Sequence, residues 1–213
     1  MSFTREFEHS QALFDAAVTE FVAKGYEVAS INTILETAGM SKGQFYYHFK
    51  NKEALYFALI EVMIAKKQEF LARVMTPADF QQDLFAIFQT QIRYGLAFAR
   101  DYPAINRFSE SFLREKGNPI YAKAIAKFNF ENDAAINGLI ARAYANGELR
   151  TDLPLAFVQK VIGYLFSHVV ELVDLNHVAD AETNLTHLIT FMKSGLVDPG
   201  GNQAPTVPSH EHA

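Results

Sequence analysis

The sequence predicts an all-α protein of about nine helices. Three observations predict it. Apolar residues recur at helical spacing along nearly the whole chain, no sustained two-residue alternation argues for strands, and the gaps between apolar runs carry helix stops and caps.

From His9 to Ala23, the positions of Leu13, Phe14, Ala17, Val18 and Phe21 keep helical spacing, and Lys24 with Gly25 supplies a cationic last turn and a stop. Ser30 is placed to cap a short second helix carrying Ile31, Ile34, Leu35 and Ala38 and ending at Gly39. Ser41 caps a third helix, Lys42 to about Phe49. Asn51 caps a long fourth, with Leu55, Leu59, Val62 and Met63, reaching about Val74. Pro77 suits the first turn of a fifth helix, which runs from about Ala78 to Arg100 and stops at Asp101-Tyr102-Pro103. A sixth covers about Ala104 to Lys116. After Gly117-Asn118-Pro119, a long seventh is expected from Ile120 to Asn146, halted by Gly147.

The eighth helix, about Pro154 to Leu175, is apolar on two lines at once: Phe157, Val161, Leu165, Val169 and Leu172, and Val158, Ile162, Phe166, Val170 and Val173. A helix apolar on more than one face needs more than one neighbour to cover it. The ninth, about Ala181 to Leu196, adds Leu185, Leu188, Ile189, Met192 and Leu196. Such excess at the end of the chain points to a subunit interface as well as a core, with Phe157, Val161, Leu165, Val169, Leu172, Leu185, Leu188 and Met192 as its candidate residues. Residues 198–213, rich in Gly, Pro and polar side chains, are expected to form a disordered tail.

Composition narrows the function. There is no Cys, so thiolate zinc sites and cysteine nucleophiles are excluded. The first eleven residues show no cationic stretch leading into an apolar run, and the most apolar stretch, Val161 to Val173, is short for a bilayer and interrupted by His168 and Glu171. A cytoplasmic protein with no membrane partner is expected. The formal net charge of −5 argues against coating nucleic acid non-specifically, yet leaves room for a local basic patch. No phosphate loop, nucleophile elbow or paired-carboxylate signature appears, and His168 with Glu171 runs in the wrong order for a Glu-x-x-His di-metal bundle. No metal, no cofactor and no enzymatic activity are expected; a helical-bundle enzyme is the weak rival reading.

Residues 30–52, SINTILETAGMSKGQFYYHFKNK, carry the informative pattern. Two short helices joined by a tight turn containing Gly make the geometry of a DNA-reading helix-turn-helix. Lys42 and Gln44 fall in the first turn of the second helix, where side chains reach base edges: lysine donates to guanine, and glutamine can pair with adenine through two bonds. Gly43 allows close backbone approach to a phosphate, and Tyr46, Tyr47 and His48 offer rings to thymine methyls and hydrogen bonds to phosphate. Lys50 and Lys52 add charge at the start of the next helix. From Met40 to Lys52 there are three Lys and no acid.

From about Ala12 to Glu61, the opening ALFDAAVTEFVAKGYEVASI and the core TAGMSKGQFYYHFKNKEAL resemble the N-terminal domain of the TetR family of transcriptional regulators, in order, spacing and residue type. The resemblance implies a three-helix DNA-binding domain joined through the long fourth helix to a helical ligand-binding and dimerisation domain. The expected division is residues 1–51 for DNA, 52–197 for effector and dimer, and 198–213 for the tail. It implies a homodimer on a palindromic operator, most simply a repressor, released by a small-molecule effector. By position, Asn32, Thr33, Lys42, Gly43, Gln44, Tyr46, Tyr47, His48 and Lys52 would face DNA. The chain departs from many members at Asn32 and Thr33, where a basic residue is common, and at Gln44, where a small hydroxyl residue is common. A helical interaction module with a degenerate DNA-binding head is the other rival.

The chain holds 19 Phe and 9 Tyr with no Trp, many of them between Phe80 and Phe166. Such a concentration can line an apolar cavity as well as fill a core. Phe88, Gln91, Ile92, Phe108, Phe112, Phe128, Asn132, Phe166 and His168 are the candidates for holding an apolar or aromatic effector.

Overall fold

The computed structural model describes residues 3, 7–128, 134–169 and 178–197. Every regular element among them is helical. The elements are α1 Ser10–Val28, α2 Ile31–Ala38, α3 Lys42–His48, α4 Lys52–Val74, a 3-10 turn Pro77–Gln81, α5 Leu84–Asp101, α6 Pro103–Arg114, α7 Pro119–Phe128, α8 Ala134–Ala145, α9 Leu155–Ser167 and α10 Val178–Leu196. Helices α2 to α4 start where their capping residues predict, whereas α1 runs past the predicted stop at Gly25, which kinks it, and ends at Val28. Ser30, Ser41 and Asn51 accept from the backbone N–H of Thr33, Gln44 and Ala54.

Two further elements, the fifth and eighth predicted helices, differ from expectation, and the seventh is described only in part. The fifth helix does not begin at Pro77. The Asp79 carboxylate instead accepts from the Thr76 N–H and hydroxyl, closing a 3-10 turn. A new start follows at Asp83, whose Oδ1 accepts from Phe85 and Ala86 N–H at 3.0 and 2.9 Å. Two separate side-chain caps outcompete one continuous helix. The stretch expected as one helix from Ile120 to Asn146 is described as α7 and α8, with residues 129–133 between them outside the described residues. The eighth predicted helix is described as α9, with His168 at its C-cap; its further course falls mostly outside the described residues, as do Leu172, Asn132 and the predicted tail.

The chain forms two compact units: Met1–Met75 with Tyr94–Asn132, and Thr76–Arg93 with Asp133–Ala213. The first unit gathers α1 to α4, the second half of α5, α6 and α7 around Leu13, Phe21, Phe45, Phe49, Leu55, Tyr56, Leu59 and Phe108. Tyr56 of α4 sits edge-on to both Phe21 of α1 and Phe108 of α6, with centroids 4.9 and 5.4 Å apart. Burial pushes the Tyr56 phenol well above its ordinary range, with the nearby Glu115 carboxylate and Tyr26 adding to the shift, so the hydroxyl stays neutral. The second unit packs Leu84, Phe85 and Phe88 of α5 against Ile140, Val158, Ile162, Ile189 and Met192. No helix among the described residues is long and apolar enough to cross a membrane.

Candidate nucleic-acid interface

The interface is built from α2, the turn at residues 39–41, and α3. Gly39 takes φ +63°, the left-handed conformation that ends α2 without a side-chain penalty, and Met40 N–H reaches back to Leu35 O at 2.9 Å. Ser41 and Gln44 then form a reciprocal capping box. Gln44 N–H donates to Ser41 Oγ at 3.2 Å, and Ser41 N–H donates to Gln44 Oε1 at 2.9 Å. Alternation of face follows from the helical period. Ile34, Leu35, Ala38, Met40, Phe45 and Phe49 are buried, leaving Asn32, Thr33, Lys42, Gly43, Tyr46 and Tyr47 exposed. Tyr47 is 75% exposed and Tyr46 60%, high values for rings of this size.

Two predicted contact residues are held by the chain itself. Gln44 Oε1 is committed to Ser41, so the outward donor of this side chain is its amide Nε2. Lys52 extends its ammonium back to the end of α1 and donates to the carbonyls of Tyr26, Glu27 and Ala29 at 2.7, 3.0 and 3.1 Å. It also lies 4.8 Å from the Tyr26 ring centroid. Those three bonds use all its donors, so Lys52 braces the three-helix head from within. Lys50, two residues earlier, is exposed, as is Lys42. Lys52→Met is accordingly expected to lower stability by about 1.5–3 kcal/mol, as for loss of hydrogen bonds to a charged group. It should leave the salt dependence of DNA binding unchanged, whereas removing a phosphate contact reduces the slope of log K against log salt by about 0.9. Chemical denaturation and a salt titration of the same variant separate the two roles.

A Cβ added at Gly43 would meet only Ser41 Oγ at 4.0 Å, so nothing inside the chain requires glycine there. His48 is half-buried beneath the ring of Phe7.

Two carboxylates without a motif to mark them hold the head together. Glu20 is buried on α1; its Oε1 accepts from Lys24 Nζ at 2.8 Å and from Ser30 N–H at 2.9 Å, tying α1 to the start of α2. The Lys24 hydrogen bond, then that from Ser30, holds its carboxyl below the usual range. Glu115, just past α6, accepts from Tyr26 N–H at 2.6 Å. The i,i+4 spacing of Glu20 and Lys24 is visible in the sequence; the partners 10 and 89 residues away are not.

Residues 13–59 match the family model described as bacterial regulatory proteins, tetR family. Over that segment the chain carries the regulatory-protein domain of the TetR family. Among curated relatives, it is 24% identical over 145 residues to the HTH-type transcriptional repressor AcnR of Corynebacterium glutamicum, spanning 68% of this chain and 71% of that protein. It is 32% identical over 99 residues to the HTH-type transcriptional regulator RutR of Escherichia coli K12, spanning 46% of this chain and 44% of RutR. The fold extends well beyond the head. A TetR family regulator from Chloroflexus aurantiacus superposes with a TM-score of 0.63 at 23% identity, covering 92% of this chain and 96% of that one. Salmonella enterica GusR gives 0.61 at 20%, covering 91% and 97%. The chain thus carries the DNA-binding domain and the fold of TetR-type transcriptional regulators.

The remaining predicted residues fall in both units. Phe108, Phe112 and Phe128 lie in the first, with Phe112 stacked on Tyr121 at 5.0 Å. Phe88, Gln91, Ile92, Phe166 and His168 lie in the second, where Phe88 meets Phe166 edge-on at 4.9 Å and His168 stacks on Tyr164 at 3.9 Å. Of the predicted interface residues, Met192 is buried within its own unit, and Val161, Leu165, Val169, Leu185 and Leu188 are half-buried. Phe157 is exposed, joined by two rings outside the predicted interface set, Tyr164 and Phe191.

Proposed function

We propose that the protein is a ligand-responsive repressor that binds a palindromic operator as a homodimer and leaves it when a small apolar or aromatic effector binds. The observation that carries this reading is the exposed face of α3. Lys42, Gly43, Tyr46 and Tyr47 stand outward on a helix whose inner face is locked by Phe45 and Phe49 and whose start is fixed by a capping box. A fixed helix presenting one cation, one amide donor and two rings can discriminate bases; a mobile one must first lose ordering entropy. The open position at Gly43 suits close approach of a phosphate to the backbone. AcnR, named as a repressor, supports the sense of regulation.

Dimerisation is assigned to the second unit, where Phe157, Tyr164 and Phe191 are 52%, 61% and 69% exposed on α9 and α10. Rings of that size gain most by burial against another surface. In this division, residues 1–51 read DNA, and residues 52–197 hold the effector and join the subunits. The effector is assigned to one of two aromatic groups, Phe108, Phe112 and Phe128 in the first unit or Phe88 and Phe166 in the second. Release then needs only that effector prefer a conformer whose two heads no longer match half-sites about 34–36 Å apart or a multiple of that.

Selection from random duplex DNA with the purified protein tests the reading. A palindromic site should be enriched, and binding to it should fall steeply with salt. Enrichment of no sequence, with only weak salt-sensitive binding, would overturn it in favour of a helical interaction module.

A further inference from the structure

Ahead of α1 the chain turns back on itself. His9 takes φ +67°, the one non-glycine residue with positive φ among the described residues, and Ser10 N–H donates to Phe7 O at 2.9 Å. A left-handed histidine is strained by roughly 1–2 kcal/mol and persists only where surrounding contacts hold it. The residues just before it are held by ring contacts. The Phe7 ring stacks on the His48 imidazole, centroids 3.9 Å apart and planes 20° from parallel, and lies 6.1 Å from Phe49. Phe3 lies 5.3 Å from Phe49 and 5.5 Å from Phe14. All of these residues but Phe14, His48 and Phe49 precede the segment matched by the family model, which begins at residue 13.

Phe49 is buried and is also stacked on Phe45 of α3 at 5.8 Å. His48 is different. It is the last residue of a seven-residue helix, at the end opposite the capping box, and its neighbour Tyr47 meets it edge-on at 5.0 Å. A helix this short has little stability of its own, and its final turn is where it frays. We propose that Phe7 is a positioning residue for operator reading: stacked on His48, it holds the last turn of α3 and, through His48, fixes the direction of the Tyr47 ring. The inference rests on α3 being the DNA-reading helix. Phe7 touches no base in this scheme; it acts by removing conformers of Tyr47 and His48 that do not fit the groove.

The test uses the full-length protein and the operator recovered by selection, alongside a scrambled duplex of the same length. Phe7→Ala should weaken operator binding roughly 2- to 12-fold, the range for loss of one aromatic pair, while binding to the scrambled duplex stays as in the parent. Phe7→Tyr, which keeps the ring, should restore the ratio of operator to scrambled binding. Thermal unfolding followed by circular dichroism shows whether each variant is folded at the assay temperature. If Phe7→Ala reduces both duplexes equally, or binds the operator as the parent does, the positioning role is wrong. If Phe7→Ala is unfolded at the assay temperature, the comparison passes to Phe7→Leu, which fills the site without a ring and should show the same selective loss; a parent-like ratio there overturns the proposal. Failure of the parent protein to select any site would sink the regulator reading instead, so the two failures are distinguishable.

Discussion

Gly25→Ala is expected to destabilise the protein by about 2–5 kcal/mol, combining backbone strain with loss of a hydrogen bond to a charged group. Gly25 adopts φ +72° and ψ 172°, a region that is essentially glycine-only. Independently of that strain, a Cβ there would stand 2.9 Å from Glu115 Oε1. Glu115 cannot simply swing away, because the same oxygen accepts from Tyr26 N–H at 2.6 Å. Alanine must therefore either shift the backbone or evict the carboxylate. For a chain of this length the loss corresponds to roughly 4–20 °C in Tm. Gly138 provides the internal control: it lies on α8 with nothing within 4 Å of an added Cβ, so Gly138→Ala should stabilise by up to about 1 kcal/mol. Equal melting temperatures for Gly25→Ala and the parent would show that the kink is not required.

The consequence reaches the DNA-binding head. The kink at Gly25 turns the carbonyls of Tyr26, Glu27 and Ala29 toward Lys52, and Glu20 holds Ser30 beside them. One glycine conformation thus lets the end of α1 be tied by α4, the residue after α6 and the start of α2 together. This is why Lys52 reads as a DNA contact in the sequence and a brace in the structure. Its position beside Lys50 at the start of a helix is a local signal; the three carbonyls that claim it are created by a turn 23–26 residues earlier.

The same distinction separates what was legible from what was not. Ser30, Gly39, Ser41 and Asn51 work through near neighbours in the chain, so α2 to α4 and the exposed face of α3 follow from local chemistry. Pro77 misled because a proline favours a first turn without requiring that the helix continue, and Asp83 offered a second start nearby. Phe157, Tyr164 and Phe191 lie on helices whose apolar residues point in several directions. Composition marked those helices as over-apolar, but only packing shows that Met192 turns inward while Phe191 turns out. The stack of Phe7 on His48 joins residues far apart in the chain and has no counterpart in any motif.

The other large effect is expected at Gln44, where the structure changes what a substitution means. The side chain performs two tasks with its two ends: Oε1 completes the capping box, and Nε2 is the donor available to a base. Bidentate pairing with adenine needs both ends, so it would require Ser41 N–H to give up its bond. Donation by Nε2 alone to a purine N7 or a carbonyl needs no such sacrifice, and the structure favours this mode. Gln44→Glu separates the tasks. The carboxylate still accepts from Ser41 N–H and suits the first turn of a helix, so the fold should be as stable as the parent or slightly more so. It removes the donor and sets a negative charge against the groove. Operator affinity should therefore fall by at least about 10-fold, and up to about 100-fold or more, as expected when a well-placed hydrogen bond to a base edge is removed. Gln44→Ala removes both tasks and should reduce affinity together with about 0.5–1 kcal/mol of stability. Measured side by side, an unchanged melting temperature with a collapsed operator affinity in Gln44→Glu would place this amide at a base edge. Retained affinity and site preference in that variant would mean that Gln44 serves only as a cap, and that base reading falls to Lys42, Tyr46 and Tyr47.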